Sequence, residues 1–525
     1  MERLTWHYRL TRHAAVDPKG VVHTPAHGAG GPVGQRRYAT FHKLLEKLSR
    51  PASRIREAKE AKAPAAPKGD SAGAGARNPK PARYRLGGRP AAGHLPPIGS
   101  FRPNEVLAIN LSSEGLAKVR DGNYQPVGTI DLAELGLTIT RLRPPEGLGA
   151  IAGWERLYDL LPDGGFALNR IYTPYRLGAG PGSGGPVVPA AADGKGCTAE
   201  RCFGAALIKW RAPLAACARG LKVGVIDTGF DIGHPAFAGL RYDYKAFLPD
   251  GKTGASSEHG TGVLSLLAGH AASGTPGLIP EAHYILANVF YADGEGPISD
   301  TVHMLQAMQW LKKSGVAVAN LSFAGPPDDA VHHAVRELTK AGIVVVAAAG
   351  NEGPSAPPSY PAAYEEVIAV TAVDRDLAAY RYASRGDHID LAAPGVDVWT
   401  ALPGRREGPQ TGTSFAVPFV TAVVAVAHGP AGLRPDDDPL AAKARALAKI
   451  RASIKNLGER GRDPTFGAGL VQAPAPCDAT APNIVAAVQP WTGTVRREPE
   501  PAAEPFVIGA WVSTVHVAAG NTAPR

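Results

Sequence analysis

Between about residues 206 and 477 the chain alternates short, nearly unbroken apolar runs with longer stretches of helical period. The runs KVGVID (222–227), HYILANVF (283–290), VAVANLSF (316–323), IVVVAAAG (343–350) and EVIAVTAV (366–373) carry few polar residues at alternate positions. That is the pattern of strands covered on both faces. Between them HGTGVLSLLAG (259–269), ISDTVHMLQAMQWLKK (298–313) and DDAVHHAVRELTKA (328–341) read as helices. Strand–helix alternation predicts an α/β domain, with helices on both faces of a parallel sheet. A unit of about 270 residues buries roughly 75% of its extended-chain surface, enough for a core of its own.

Upstream the pattern changes. EVLAINL (105–111), LGLTITRL (135–142) and GFALNRIY (165–172) read as strands. SSEGLAKV (112–119), with Ser at a helix start and Glu in its first turn, and GLGAIAGWERLYDLL (147–161) read as helices. These make a small α+β unit over 104–177. A Gly/Pro-rich linker and Cys-containing segment follows at 178–205; GAGPGSGGPVVPAAADGKG (178–196) is expected to be flexible. Residues 1–103 form a basic leader and linker, with one candidate helix at 41–62 broken at Pro51. The tail, 478–525, is Pro/Ala-rich with one apolar run, FVIGAWVSTVHVAA (506–519), expected to be one or two strands or disordered.

Charge sharpens this division. Residues 1–100 hold 19 Lys+Arg against 6 Asp+Glu, and the remaining residues 37 against 41. The net +9 therefore belongs to the leader, which reads as a solvated, largely disordered arm. No aromatic-interleaved basic motif or zinc module accompanies it, so no nucleic-acid partner is expected. No run approaches 18 apolar residues, so no membrane-spanning helix is expected. The first twenty residues have charges and no apolar h-region, so no ordinary secretory signal is visible. Cys197, Cys202, Cys217 and Cys477 allow three full pairings. Their C-x4-C-x14-C spacing, with no nearby His pair, suits zinc poorly. An even count clustered near the domain edges favours disulfides and an oxidising compartment over four unpaired thiols in a cytosolic enzyme.

Four polar residues stand at the ends of predicted elements. Asp227 follows an apolar strand in VGVIDTGFD, and His259 opens the helix of EHGTGVLSLLAG. Asn351 follows the strand of VVVAAAGNEG, and Ser414 sits in the Gly-Thr-Ser turn that opens QTGTSFAVPFVTAVVAVA. Singly they read as a loop cap, a surface His, a turn Asn and a helix cap. Together they supply one chemistry. A Ser hydroxyl needs a His to take its proton, and that His needs a carboxylate on its other ring nitrogen. The tetrahedral intermediate needs donors, which Asn351 and the Ser414 N–H at a helix start offer.

The segments VGVIDTGFD, HGTGV, NLSFAGP, AAAGNEG and GTSFAVP resemble the signature blocks of the subtilase family of serine proteases. The order Asp, His, Ser along the chain is that of subtilisin. SYPAAYEEVIAV, LAAPGVDVWTALPG and NLGERGRDPTFGAGLVQA resemble the family's connecting and closing blocks. The resemblance implies a subtilisin-like three-layer fold with a seven-stranded parallel sheet over 206–477, and endopeptidase hydrolysis through an acyl-enzyme. It implies Asp227 orienting His259, His259 as general base then acid, Ser414 as nucleophile and Asn351 in the oxyanion hole. It places Ser322, Phe323, Ala324 and Gly325 on the strand edge that pairs with extended polypeptide substrate, and Ala349 and Gly350 beside the residue before the cut. Two positions depart from the family pattern: Phe415 stands where many members have Met, and Ala324 where a Gly is usual. GHAASGTPGLIPEA lacks the Asn-rich loop that binds calcium in many members, so no metal or other cofactor is expected.

By the same resemblance the 104–177 unit stands where a ferredoxin-like propeptide stands, as folding aid and inhibitor of its own enzyme. The expectation is a self-processing zymogen, secreted or periplasmic and monomeric, cut between about residues 172 and 196, with Tyr175–Arg176 the best single site. The alternative is a catalytically silent binding protein on the same fold.

Overall fold

The computed structural model describes residues 100–174, 187–190, 197–294, 296–429 and 435–475, and a pair of two-residue antiparallel strands, Ala15–Val16 and Val22–His23. The chain divides into two compact units, Met1–Ala82 and Arg83–Arg525. The candidate helix at 41–62 and the apolar run at 506–519 lie outside the described residues.

The second unit begins with β1 (Phe101–Ile109), α1 (Ser113–Asp121), β2 (Gln125–Leu132), β3 (Leu137–Arg143), α2 (Ala150–Leu160) and β4 (Gly165–Pro174). The strands pair antiparallel in the order β2-β3-β1-β4. The element order is thus β-α-β-β-α-β, with β2 added to the predicted set. Ser112 caps α1, its hydroxyl accepting from Gly115 N at 3.0 Å. In β1, Val106 and Ala108 pack with Trp154, Leu157 and Phe166 beneath the unit's own helices. Leu107 and Ile109 point the opposite way, into a core shared with the larger part of the chain. Burial on both faces is why EVLAINL shows no polar alternation.

The larger part comprises β5 (Lys222–Asp227), β6 (Arg241–Ala246), α3 (Glu258–Ala268), β7 (His283–Asn288), β8 (Tyr291–Asp293), β9 (Gly296–Asp300), α4 (Thr301–Ser314), β10 (Val318–Leu321) and β11 (Phe323–Ala324). It continues with α5 (Asp329–Lys340), β12 (Val344–Ala348), β13 (Ile368–Val373), β14 (Leu391–Pro394), β15 (Val398–Leu402), β16 (Arg406–Gln410), α6 (Thr413–His428) and α7 (Ala441–Ile450). Seven strands form one parallel sheet in the order β14-β13-β12-β10-β5-β7-β6. Val223 and Val225 of β5 pack with residues of α3 and α6 on one face. Ile226 packs with residues of α4 and α5 on the other. The result is the expected α/β layering around a parallel sheet. Gly224 permits close helix packing, since a Cβ there would lie 2.8 Å from the Leu311 side chain.

Two features depart from the sequence reading. Val188–Pro189, within the segment expected to be flexible, pairs antiparallel with β16. Strand β4 also runs beyond its own sheet: Ile171 and Tyr172 pair with Asp300 and Ser299 of β9, and Thr173 and Pro174 with Ala324 and Phe323 of β11. Both pairings are antiparallel. Cys197 and Cys202 form a disulfide, and Cys217 is disulfide-bonded too. Cys477 lies outside the described residues.

Candidate active site

The polar residues singled out in the sequence gather where open parallel sheets place their chemistry, outside the carboxyl ends of the strands. Asp227 is the last residue of β5 and is buried. Its Oδ1 accepts from Thr228 N at 2.7 Å and meets His259 Nδ1 at 2.7 Å. His259 lies in the first turn of α3. That turn is drawn against the loop after β5, because Gly260 N donates to Thr228 Oγ1 at 2.9 Å. Only glycine fits there: a Cβ at 260 would lie 2.6 Å from Gly229 O and 2.9 Å from Thr228 O. The Asp227 carboxylate orients the His259 ring through Nδ1 and turns Nε2 away from it. Both His259 Nε2 and Asp227 Oδ2 are buried, and neither has a hydrogen-bond partner among the described residues.

Ser414 opens α6 and is buried. Its Oγ donates to Ser322 O at 3.3 Å, while Ser322 Oγ donates to Ser414 O at 3.1 Å. Asn320 Nδ2 donates to Ser322 Oγ at 2.9 Å, and Thr421 Oγ1 donates to Asn320 Oδ1 at 3.0 Å. This buried chain of polar groups ties the end of β10 to α6. In this conformer Ser414 Oγ faces Ser322 O rather than His259. The His259 ring centroid lies 5.4 Å from that of Phe415.

Asn351 follows β12. Its Oδ1 accepts from both Thr413 N at 3.0 Å and Thr413 Oγ1 at 2.9 Å. Only the amide oxygen accepts two such donors, so Nδ2 lies on the opposite side, beside Gly412. A Cβ at Gly412 would stand 3.0 Å from that Nδ2, and the residue's φ of 156° also favours glycine. Gly350 N donates to Thr413 Oγ1 at 3.2 Å, and Ala349 N donates to Val370 O at 2.9 Å. The residue the sequence reading missed is Thr413. Its signal was the Gly-Thr-Ser turn, but the partner it holds lies 62 positions away.

The edge formed by Ser322, Phe323, Ala324 and Gly325 is occupied by the chain itself. Phe323 and Ala324 pair with Pro174 and Thr173 on one side, and Gly325 pairs with Tyr360 on the other. Gly325 N donates to Tyr360 O at 2.8 Å, and Tyr360 N to Gly325 O at 3.0 Å. Phe323 packs edge-on against Tyr172, with ring centroids 5.9 Å apart. Glu352, the charged residue nearest Ala349 and Gly350 in sequence, is exposed.

Residues 218–469 match the model of the subtilase family, peptidase S8. Subtilisin BL of Lederbergia lenta is 35% identical over 260 residues, covering 49% of this chain and 90% of that protein. The major intracellular serine protease of Bacillus subtilis (strain 168) is 35% identical over 221 residues, covering 40% and 68%. The minor extracellular protease Epr of the same organism is 29% identical over 265 residues; the match spans 50% of this chain and 39% of Epr. Among solved structures, fervidolysin from Fervidobacterium pennivorans shares the fold, with a TM-score of 0.57 and 21% identity over 74% of this chain and 62% of its own. Sheet, site and relatives together define a serine-type endopeptidase. The chain belongs to the subtilase family. Its relatives include both extracellular and intracellular proteases. No helix among the described residues is long and apolar enough to cross a membrane.

Proposed function

We propose that this protein is made as a zymogen, and that its own β4 strand lies in the substrate cleft as a bound product. The observation that carries this is the antiparallel pairing of Thr173 and Pro174 with Phe323 and Ala324. Peptide substrates are held in the same way, by adding a strand to an exposed edge. Ser322, next to Phe323, meets Ser414 through both its carbonyl and its hydroxyl. Tyr175 and Arg176 follow along the chain, outside the described residues, and the bond between them is the one assigned to the cut, because Tyr175 suits an apolar pocket.

Ser414 Oγ attacks the carbonyl carbon of that bond, turning from Ser322 O toward His259 as its proton passes to Nε2. Asp227 holds the imidazolium through Nδ1. The negative oxygen of the tetrahedral intermediate is met by Asn351 Nδ2 and the Ser414 N–H at the start of α6. His259 then protonates the leaving amine, and water, activated by the same imidazole, releases the acyl group. Ala349 and Gly350 flank the side chain before the cut. Asp227, His259 and Ser414 are thus the catalytic triad, and residues 104–177 the inhibitory propeptide. Export is supported by the Cys197–Cys202 disulfide, since such bonds persist in oxidising compartments. The mature enzyme acts as a monomer on extended polypeptides.

The test is intact mass of the wild-type chain and of Ser414→Ala, each purified alone. The expected result is wild type shortened to residue 176 onward, and a Ser414→Ala chain left whole. The wild-type product also loses the basic leader and with it the sequence pI of about 9.3. Two full-length chains, or two chains trimmed at the same bond, would refute self-processing.

A further inference from the structure

Helix α6 contains a proline, Pro418, one turn after Ser414. Proline has no N–H, so the intrahelical hydrogen bond that would end on Ser414 O is missing, and the ring crowds that same carbonyl. Ser322 Oγ supplies a donor instead, at 3.1 Å. Ser322 Oγ in turn accepts from Asn320 Nδ2 at 2.9 Å, and Asn320 Oδ1 accepts from Thr421 Oγ1 at 3.0 Å. Thr421 stands two helical turns after Ser414 on the same face of α6, about 10 Å along the axis. The chain of bonds therefore leaves α6 at Thr421, crosses to the end of β10 and returns to α6 at Ser414. Every side chain in it is at most 1% exposed, so bulk water does not replace a donor lost there.

We infer that Thr421 is a positioning residue for the nucleophile, which it aligns through Asn320 and Ser322. This rests on Ser414 being that nucleophile. Thr421 lies two turns from the reacting oxygen and acts by setting the direction of the chain. Its hydroxyl proton holds the Asn320 amide with oxygen toward α6 and nitrogen toward Ser322. Ser322 Oγ, receiving a proton from Asn320, keeps its own for Ser414 O. The Ser322 carbonyl accepts from Ser414 Oγ at 3.3 Å, so one residue grips Ser414 at both its carbonyl and its hydroxyl. That grip steadies the first turn of α6, which carries the attacking oxygen and the N–H assigned to the oxyanion. Valine has nearly the shape of threonine and no proton to give. With Thr421→Val, Asn320 Oδ1 is buried without its donor. Turning the amide over relieves that oxygen only by taking the Ser322 proton from Ser414 O. Reacting groups misplaced by about 1 Å lose up to roughly 10²-fold in rate, even when the change lies far from the chemistry.

The experiment labels the full-length chain, as purified, with a small alkyl fluorophosphonate over a concentration series. It reads the maximal labelling rate and the half-saturating concentration separately. Thr421→Val should lower the maximal rate by about 10- to 100-fold and leave the half-saturating concentration unchanged. Thr421→Ser keeps the donor and should label like wild type. Ser322→Ala removes the last donor of the chain and should slow labelling by a similar factor. Adding Thr421→Val to Ser322→Ala should then change little, because members of one network are not additive. A wild-type rate in Thr421→Val, an equal loss in Thr421→Ser, or a double variant whose losses multiply would overturn the inference and leave Ser414 as nucleophile. Should Thr421→Val fail to fold, Ser322→Ala decides the matter, since an unaltered rate there breaks the chain at the link next to Ser414. A Ser414→Ala chain that labels as fast as wild type would overturn the nucleophile itself, and the inference with it.

Discussion

Both hydrogen bonds that Thr413 donates end on one atom, Oδ1 of Asn351, at 3.0 Å from N and 2.9 Å from Oγ1. The backbone just before Ser414 thus fixes the amide proposed to meet the oxyanion. Asn351→Ala is expected to lower kcat by roughly 10²–10³, the range for removing such a donor in subtilisin. KM should change little, because the charge it meets exists only in the transition state. Thr413→Val keeps the backbone donor and loses Oγ1, so a smaller fall in kcat, about tenfold, is expected. Steady-state kinetics check both. A fall below tenfold for Asn351→Ala, or a change confined to KM, would contradict the assignment.

Specificity beside the cut should be apolar or aromatic. Ala348, Ala349 and Gly350 carry no charge, nor do Ser322, Phe323, Ala324 and Gly325, and Glu352 is exposed. A basic side chain there would need an acidic partner. Sequencing the products of a peptide library checks this, and dominant cleavage after Arg or Lys would rule it out.

The small unit is held to the larger part by an ion pair as well as by strands. Arg102 Nε and Nη2 donate to Asp300 Oδ2 at 3.2 and 3.1 Å, and Asp300 Oδ1 meets His303 Nδ1 at 2.6 Å. Burial alone would raise the Asp300 carboxyl, but His303 and Arg102 outweigh it and hold the carboxyl below its usual range. Arg102→Ala leaves Asp300 without its cation, so the small unit should leave about 10- to 100-fold sooner after processing. The readout is the lag before peptidase activity appears in a progress curve. An unaltered lag would show that the pair does not govern release.

Acid should weaken the fold through His428, the last residue of α6. Burial, then the charges of Lys449 and Arg445, lower its pKa from 6.5 to about 4. Neither ring nitrogen has a hydrogen-bond partner among the described residues. A histidine depressed in the folded state takes up a proton on unfolding, so its stabilising effect is present above pH 6.5 and is lost as pH falls toward 4. The slope is at most about 1.4 kcal/mol per pH unit for one proton. Urea titrations of the Ser414→Ala chain at several pH values measure it. The same titrations of that chain with His428→Leu added should show a flatter profile, and identical slopes would exclude His428.

Sequence pattern revealed the longer strands buried on both sides, and missed both the short buried strands β14 and β15 and the exposed ones. The central strands β5, β7, β10, β12 and β13 were legible because the layers on either face require unbroken apolar runs. Strand β6, RYDYKA, is exposed along its whole length at the sheet edge, and in β2 only Leu132 is buried, so neither showed a strand's periodicity. Asp227, His259, Asn351 and Ser414 were legible as a set, since one chemistry needs all four types at element ends. Asp328 was read only as the start of a helical stretch. Its hydrogen-bond partner Tyr172 lies 156 positions away, and no local pattern links them.

Strand β4 belongs to two bodies at once. Through Gly165, Phe166, Ala167 and Leu168 it completes the small sheet, and through Tyr172, Thr173 and Pro174 it fills the cleft. Unfolding of the small sheet and vacating of the cleft are therefore linked equilibria: each bound contact raises the melting point of the small sheet, and each weakness in that sheet raises cleft exposure. In the intact chain this exchange is intramolecular and independent of protein concentration. Under the cut proposed above, simple dilution would favour the open enzyme, so a broken peptide bond would convert a property of one chain into a property of its surroundings.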